Sequence, residues 1–268
     1  MSFQRYPLTA VQKISQMLRT ALVLPPSEQQ PGPTQVNDAE ENDGIPDSLN
    51  ALGDLFRVGD LPEDNLPAPN QDGRWFVSTV DPAAALAQLP GLWIRPGLRL
   101  VTYLRQDSKG GIGSTIAIPS ILSSTEQLER AIEKVTPDIP APAPEGSLKT
   151  LMESLEGDGS LLSFLASSLF VREIREFGRF GAYARWTHHR FVQTPPAQVT
   201  WQWRAQVPDD FSPKVVLRPD GEVTVELYSC RVQKPVTLFR HLDRYHPNSY
   251  LATNQDQVIA VMAATARA

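Results

Sequence analysis

The segment from Ser160 to Val192 constrains the fold more than any other, because it is the longest stretch with one consistent period. Leu162, Leu165 and Leu169, then Phe170, Ile174, Phe177 and Phe180 or Gly181, recur at spacings of three and four. That is the repeat of a helix that buries one face. Arg172, Arg175, Glu176 and Arg179 occupy the other face. A helix from Ser160 to Trp186 would be roughly 40 Å long. Gly178 and Gly181 each cost about 1 kcal/mol relative to Ala inside a helix, so they mark a break or the close approach of another element.

Elements of both kinds surround this segment. Arg74 to Val80 reads as a strand, and Asp81-Pro82 opens a short helix to Leu89, with Asp81 as the cap. Gly97–Gln106 and Ile112–Ile118 are strands of a hairpin turned at Asp107-Ser108-Lys109-Gly110-Gly111. Ser123 to Val135 has helical spacing, with Ser123 and Glu126 as a capping box. Thr136–Ser147 is a proline-rich connector, and Leu148–Glu156 a short helix. Val199–Val207, Lys214–Arg218 and Glu222–Val232 read as strands, Val236–Arg244 as a short helix, and a terminal helix starts at Asn254 or Asp256. Hairpins and separate helices without β-α-β alternation give an α+β fold. The expected architecture is antiparallel sheet elements with a long central helix, short flanking helices, and an N-terminal helix on a disordered linker.

Three regions follow. Residues 1–24 hold an amphipathic helix, Leu8 to Leu24, with Leu8, Val11, Ile14, Leu18 and Leu22 on one stripe. It docks on the protein's own core, or else serves as a partner-binding or peripheral membrane-surface helix. Residues 25–70 form an acidic, proline-rich linker with too little apolar surface to offset the entropy of ordering. Within it, Ile45–Val58 is an apolar island, read as a lid or as a motif that folds on a partner. Residues 71–268 form the α+β globular body. The net charge of −5 hides an asymmetry: Pro25–Asn70 holds ten acids and one base, so the rest of the chain carries +4. The longest apolar run, Leu161–Val171, is about half the roughly 20 residues that span a bilayer, so no transmembrane segment is expected. A single cysteine, Cys230, excludes an intramolecular disulfide and a cysteine-based zinc site.

Motifs for chemistry are sparse. Ser108-Lys109-Gly110-Gly111-Ile112-Gly113-Ser114-Thr115 resembles the variant phosphate loop of the MinD/ParA ATPases, K-G-G-x-G-K-[ST]. It departs where Ser114 replaces the phosphate-contacting lysine, and a β-prone stretch follows instead of a helix, so a hairpin turn is expected. His188 and His189 diverge on either a helix or a strand, and no paired metal ligands appear, so neither a metal nor a cofactor is expected. Cys230 on a half-buried strand reads as a small apolar residue. What remains is a basic and aromatic cluster: Arg172, Arg175, Arg179, Arg185, Trp186, His188, His189, Arg190, Trp201, Trp203 and Arg204. Such a surface suits phosphates, stacked bases or an acidic protein, or is a solvated face beside core aromatics.

Trp186-Thr187-His188-His189-Arg190, Pro213-Lys214, Ser229-Cys230-Arg231-Val232 and Leu238-Phe239-Arg240-His241-Leu242-Asp243 make the C-terminal half similar to uncharacterised conserved proteins of cyanobacteria. That resemblance implies a cytoplasmic setting in a photosynthetic bacterium and no activity, cofactor or site residue. The leading expectation is a non-enzymatic protein-interaction, assembly or regulatory factor of the cytoplasm, with a protein partner. Nucleic-acid binding through residues 172–204 is one alternative. An enzyme with a site around His188, His189 and Cys230 is the other.

Overall fold

The computed structural model describes residues 2–29, 73–136 and 139–263. The expected apolar island at 45–58 lies outside them. The chain enters on strand β1 (Ser2–Arg5), and helix α1 (Leu8–Ala21) follows. Next come β2 (Trp75–Val77), α2 (Pro82–Leu86), β3 (Leu92–Ile94) and a long hairpin of β4 (Leu98–Asp107) and β5 (Gly110–Pro119). Helix α3 (Thr125–Glu129), β6 (Leu155–Gly157) and helix α4 (Leu161–Glu176) lead to β7 (Phe180–Gly181), β8 (His189–Phe191) and β9 (Trp201–Trp203). The chain closes with β10 (Lys214–Leu217), β11 (Val223–Arg231), β12 (Thr237–Tyr245) and β13 (Ala252–Met262).

Helices and antiparallel sheets are mixed, which is an α+β fold, and strands dominate. The largest sheet runs β1-β10-β11-β12-β13-β9. One edge of β11 is shared: β10 lies beside Val223–Glu226 and β8 beside Ser229–Arg231. A second sheet runs β2-β4-β5-β7, and β3 pairs with β6.

The helix led by Ser160 is shorter than its sequence period suggests, so there is no single long central helix. The Ser160 side chain caps it by accepting the Ser163 N–H, and it stops at Glu176. At ~1.5 Å per residue it spans about 24 Å. It packs against α1, β5, β10 and β11, and Ser163 to Glu176 are buried apart from Arg175. A helix apolar on one face only would sit at a surface; this one is enclosed, and its polar groups need partners inside the protein.

The glycine run of β5 explains where the helix ends. Gly178 has φ +76°, and a Cβ on Gly113 would overlap the Phe177 carbonyl oxygen. The backbone after Glu176 therefore crosses β5 in direct contact, which only glycine permits. The loop that resembles a phosphate cradle is a hairpin turn with a packing seam behind it. Gly113→Val is expected to lower unfolding free energy by about 2–3 kcal/mol through overpacking, measured by urea denaturation. An unchanged midpoint would mean the seam is loose.

The N-terminal helix is built into the main core. Val11 and Leu18 are fully buried, Ser15 Oγ donates to Glu173 Oε1 at 2.5 Å, and Arg19 Nε donates to Glu173 Oε2 at 2.9 Å. Its apolar stripe is spent on the fold. Beyond it, the buried Glu28 carboxylate accepts from the Ser78 hydroxyl and from the N–H and hydroxyl of Thr79, each at 2.6 Å. No helix among the described residues is long and apolar enough to cross a membrane.

Two expected helices are strands. The segment expected as a helix at Val236–Arg244 is, from Thr237 on, part of β12, and the terminal segment is β13. The inward positions of β12 include His241 and Asp243, each 1% exposed. Polar residues on a buried face hide the two-residue alternation that marks a strand. Smaller shifts occur elsewhere. The capping box is Ser124 with Gln127, and Leu151–Ser154 is a 3-10 turn leading into β6.

Candidate arginine-lined anion cleft

Where α4 ends, the chain doubles back and lays residues 184–189 over the C-terminal turn of the helix. Two buried carboxylates of α4 hold it there. Glu176 Oε1 accepts the Arg185 N–H at 2.7 Å and the Thr187 N–H at 2.9 Å, and Glu173 Oε1 accepts the Trp186 indole N–H at 3.0 Å. Trp186 then stacks on His189, with centroids 4.9 Å apart and an interplanar angle of 21°. Across from this segment lie Arg231 of β11, Phe239 and His241 of β12, and Asp256 of β13.

Between them is a cleft of about 500 Å³. Arg172, Arg175, Arg179, Arg185 and Arg231 line it, against Glu176 and Asp256. Five guanidinium groups face two carboxylates, so positive charge is in surplus. Arg172 is the exception to an outward-facing arginine stripe. It is 7% exposed and grips Asp243 with both terminal nitrogens; Nη2 donates to Oδ1 at 2.9 Å. Ser168 Oγ and Asn254 Nδ2 donate to the same carboxylate at 2.6 and 2.7 Å. Burial alone would raise the Asp243 pKa, but the Arg172 guanidinium and these hydrogen bonds hold it below the usual carboxylate range. Arg172 is therefore neutralised inside the fold.

The remaining arginines are freer. Arg175 donates to Asn254 Oδ1 at 3.1 Å. Arg179 Nε and Arg231 Nε are buried and have no hydrogen-bond partner among the described residues. An unpartnered buried donor costs about 1–3 kcal/mol, a cost that a ligand, an ion or water can remove.

Of the cluster expected from sequence, Arg172, Arg175, Arg179, Arg185, Trp186 and His189 meet at this cleft. The other five do not line it. His188 gives its carbonyl to the Val232 N–H. Arg190 turns back on the carbonyls of Thr187 and His189, at 2.7 and 2.9 Å. Trp201 and Trp203 pack beside Phe211, Tyr228 and Cys230 in a separate core, and Arg204 bonds Gln202 nearby. One continuous surface over 172–204 is not what forms.

Phe239, His241, Asp243, Asp256 and Ser229 are site residues that local sequence does not mark. They come together through strand register: Ser229 faces Phe239 and His241 faces Asp256 across neighbouring strands. Alternation in β12 was the signal available, and its buried polar side masked it.

Burial, with His241 and Arg231 nearby, pushes the His189 imidazole down to about 3. Burial also lowers the His241 pKa against the pull of its Asp256 hydrogen bond. That same hydrogen bond leads in lowering the Asp256 carboxyl to about 2. Both rings are neutral near pH 7, and Asp256 is charged.

Comparison with family models, with curated proteins and with solved structures gave no match to this chain.

Proposed function

We propose that this chain is a non-enzymatic binding protein, an interaction or regulatory factor, that takes a compact oxyanion in the arginine-lined cleft. One observation carries the reading: Arg179 Nε and Arg231 Nε are buried donors without a hydrogen-bond partner among the described residues, on two side chains that line a concave site with surplus positive charge. Concavity favours a small charged group over a long acidic chain, since the volume lies within the roughly 300–1,000 Å³ of ligand pockets.

The other readings have less support. A base-stacking platform needs aromatics in a row along a basic groove, and Trp201 and Trp203 are committed to a different core. A catalytic site around Cys230 lacks a reactive thiol, because that side chain is buried and burial raises its pKa. Ser229 bonds His241, which bonds Asp256, in the pattern of a hydrolytic triad, but Ser229 has no exposed surface.

The test is a titration of the full-length protein with inorganic phosphate by calorimetry at low salt. The wild type binds, and Arg179→Gln with Arg231→Gln weakens binding by about 10- to 100-fold, the worth of one or two charge-assisted hydrogen bonds. Equal affinity in the double variant would remove the cleft as the site.

A further inference from the structure

Four side chains form one directed hydrogen-bond chain along the floor of the cleft. His189 Nδ1 lies 2.8 Å from Ser229 Oγ, Ser229 Oγ lies 2.7 Å from His241 Nε2, and His241 Nδ1 lies 2.6 Å from Asp256 Oδ1. Donor and acceptor chemistry sets the direction. An ionised Asp256 only accepts, so His241 carries its proton on Nδ1 and offers a lone pair at Nε2. Ser229 donates its hydroxyl proton to that lone pair, and its oxygen accepts from His189 Nδ1–H. His189 Nε2 is then a bare acceptor on a side chain that lines the cleft. The opposite direction needs a doubly protonated His241, which burial disfavours.

We infer that His189 Nε2 makes the cleft selective for hydrogen phosphate, an oxyanion that brings its own proton, over sulfate, which has the same shape and charge and no proton. This rests on the anion-binding reading above. Hydrogen phosphate gives its O–H to Nε2 while its other oxygens accept from Arg179 and Arg231. Sulfate sets a lone pair against a lone pair there, and a buried acceptor left unpaired is the device by which sites reject analogues lacking one hydrogen. A phosphomonoester is disfavoured for the same reason, being mostly a proton-free dianion above its second pKa near 6.

The acceptor must stay unprotonated beside its neighbours. Arg231 on β11, His241 on β12 and the adjacent His188 disfavour a proton on His189, while Asp256 on β13 favours one. From α4 and the segment after it, Arg175, Arg179 and Arg185 outnumber Glu176 on the same cleft. The surplus is positive, and the lone pair survives at neutral pH.

The experiment is calorimetric titration of the full-length protein with inorganic phosphate, sulfate and a phosphoserine peptide, at about pH 7.5, where His189 carries no proton. Phosphate is expected to bind at least about tenfold more tightly than either competitor. Asp256→Asn removes the group that directs the chain. The amide either donates to His241 Nδ1, which reverses every link and makes Nε2 of His189 a donor, or accepts through Oδ1, so the direction of the chain is no longer fixed. The phosphate-to-sulfate ratio falls, with circular dichroism unchanged. His189→Phe keeps the stack on Trp186 and lacks any acceptor, and it collapses the ratio as well; it serves if Asp256→Asn fails to fold. Equal wild-type affinity for phosphate and sulfate, or an undiminished ratio in folded His189→Phe, overturns the selectivity and leaves the anion-binding reading standing. No wild-type binding of either anion overturns both.

Discussion

Asp243→Ala is expected to lower the unfolding free energy by about 3–5 kcal/mol, because it strands a buried guanidinium. Arg172 is 7% exposed, and Asp243 is 1% exposed and accepts from three residues. Arg172→Ala should cost a similar amount, leaving the carboxylate uncompensated between α4 and β12. The double variant Arg172→Met with Asp243→Leu should lose far less than the two single losses added together, since an apolar pair of similar volume escapes the desolvation penalty. Urea denaturation of the wild type, both single variants and the double variant gives the coupling directly. Single losses below about 1 kcal/mol would mean that water reaches the pair and that it behaves as a surface contact.

Leu18→Ala should cost about 2–5 kcal/mol, the range for emptying a fully buried leucine site. Leu18 is 0% exposed and lies in the main core. A detachable contact arm would tolerate the same change at well under 1 kcal/mol, so the measurement decides between an arm and a core helix. For the same reason, deleting residues 1–24 removes part of the core, and any partner lost by such a deletion is lost through unfolding.

Local chemistry made much of the fold legible. Ser160 caps its helix, Asp81 caps the helix at Pro82, the β4–β5 hairpin forms around Ser108 and Lys109, and α1 follows its apolar stripe. Each depends on residues a few positions apart. The failures share one cause. In α4, polar groups that read as a solvent face are buried: Glu173 holds Ser15 and Trp186, and Arg172 holds Asp243. In β12, inward-facing His241 and Asp243 break the apolar alternation. Pattern reading assigns polar residues to water, and this protein places them in pairs inside.

The cleft was half legible for the same reason. Its arginines announce themselves by type and by clustering. The histidine chain does not, because its links join residues 40, 12 and 15 positions apart. Only the pairing of β8, β11, β12 and β13 brings them together, and two of those strands read as helices in the sequence.

The Glu28 carboxylate, clasped by Ser78 and Thr79, gives the polypeptide a noncovalent rivet across a span of fifty residues. With β1 zipped onto β10 and α1 wedged against α4, the first 29 residues hold their place without the peptide bonds that follow them. A protease nick anywhere between Gln29 and Gly73 therefore yields two fragments that travel together as one particle, and the same arrangement suits the protein to reconstitution from two separately made halves.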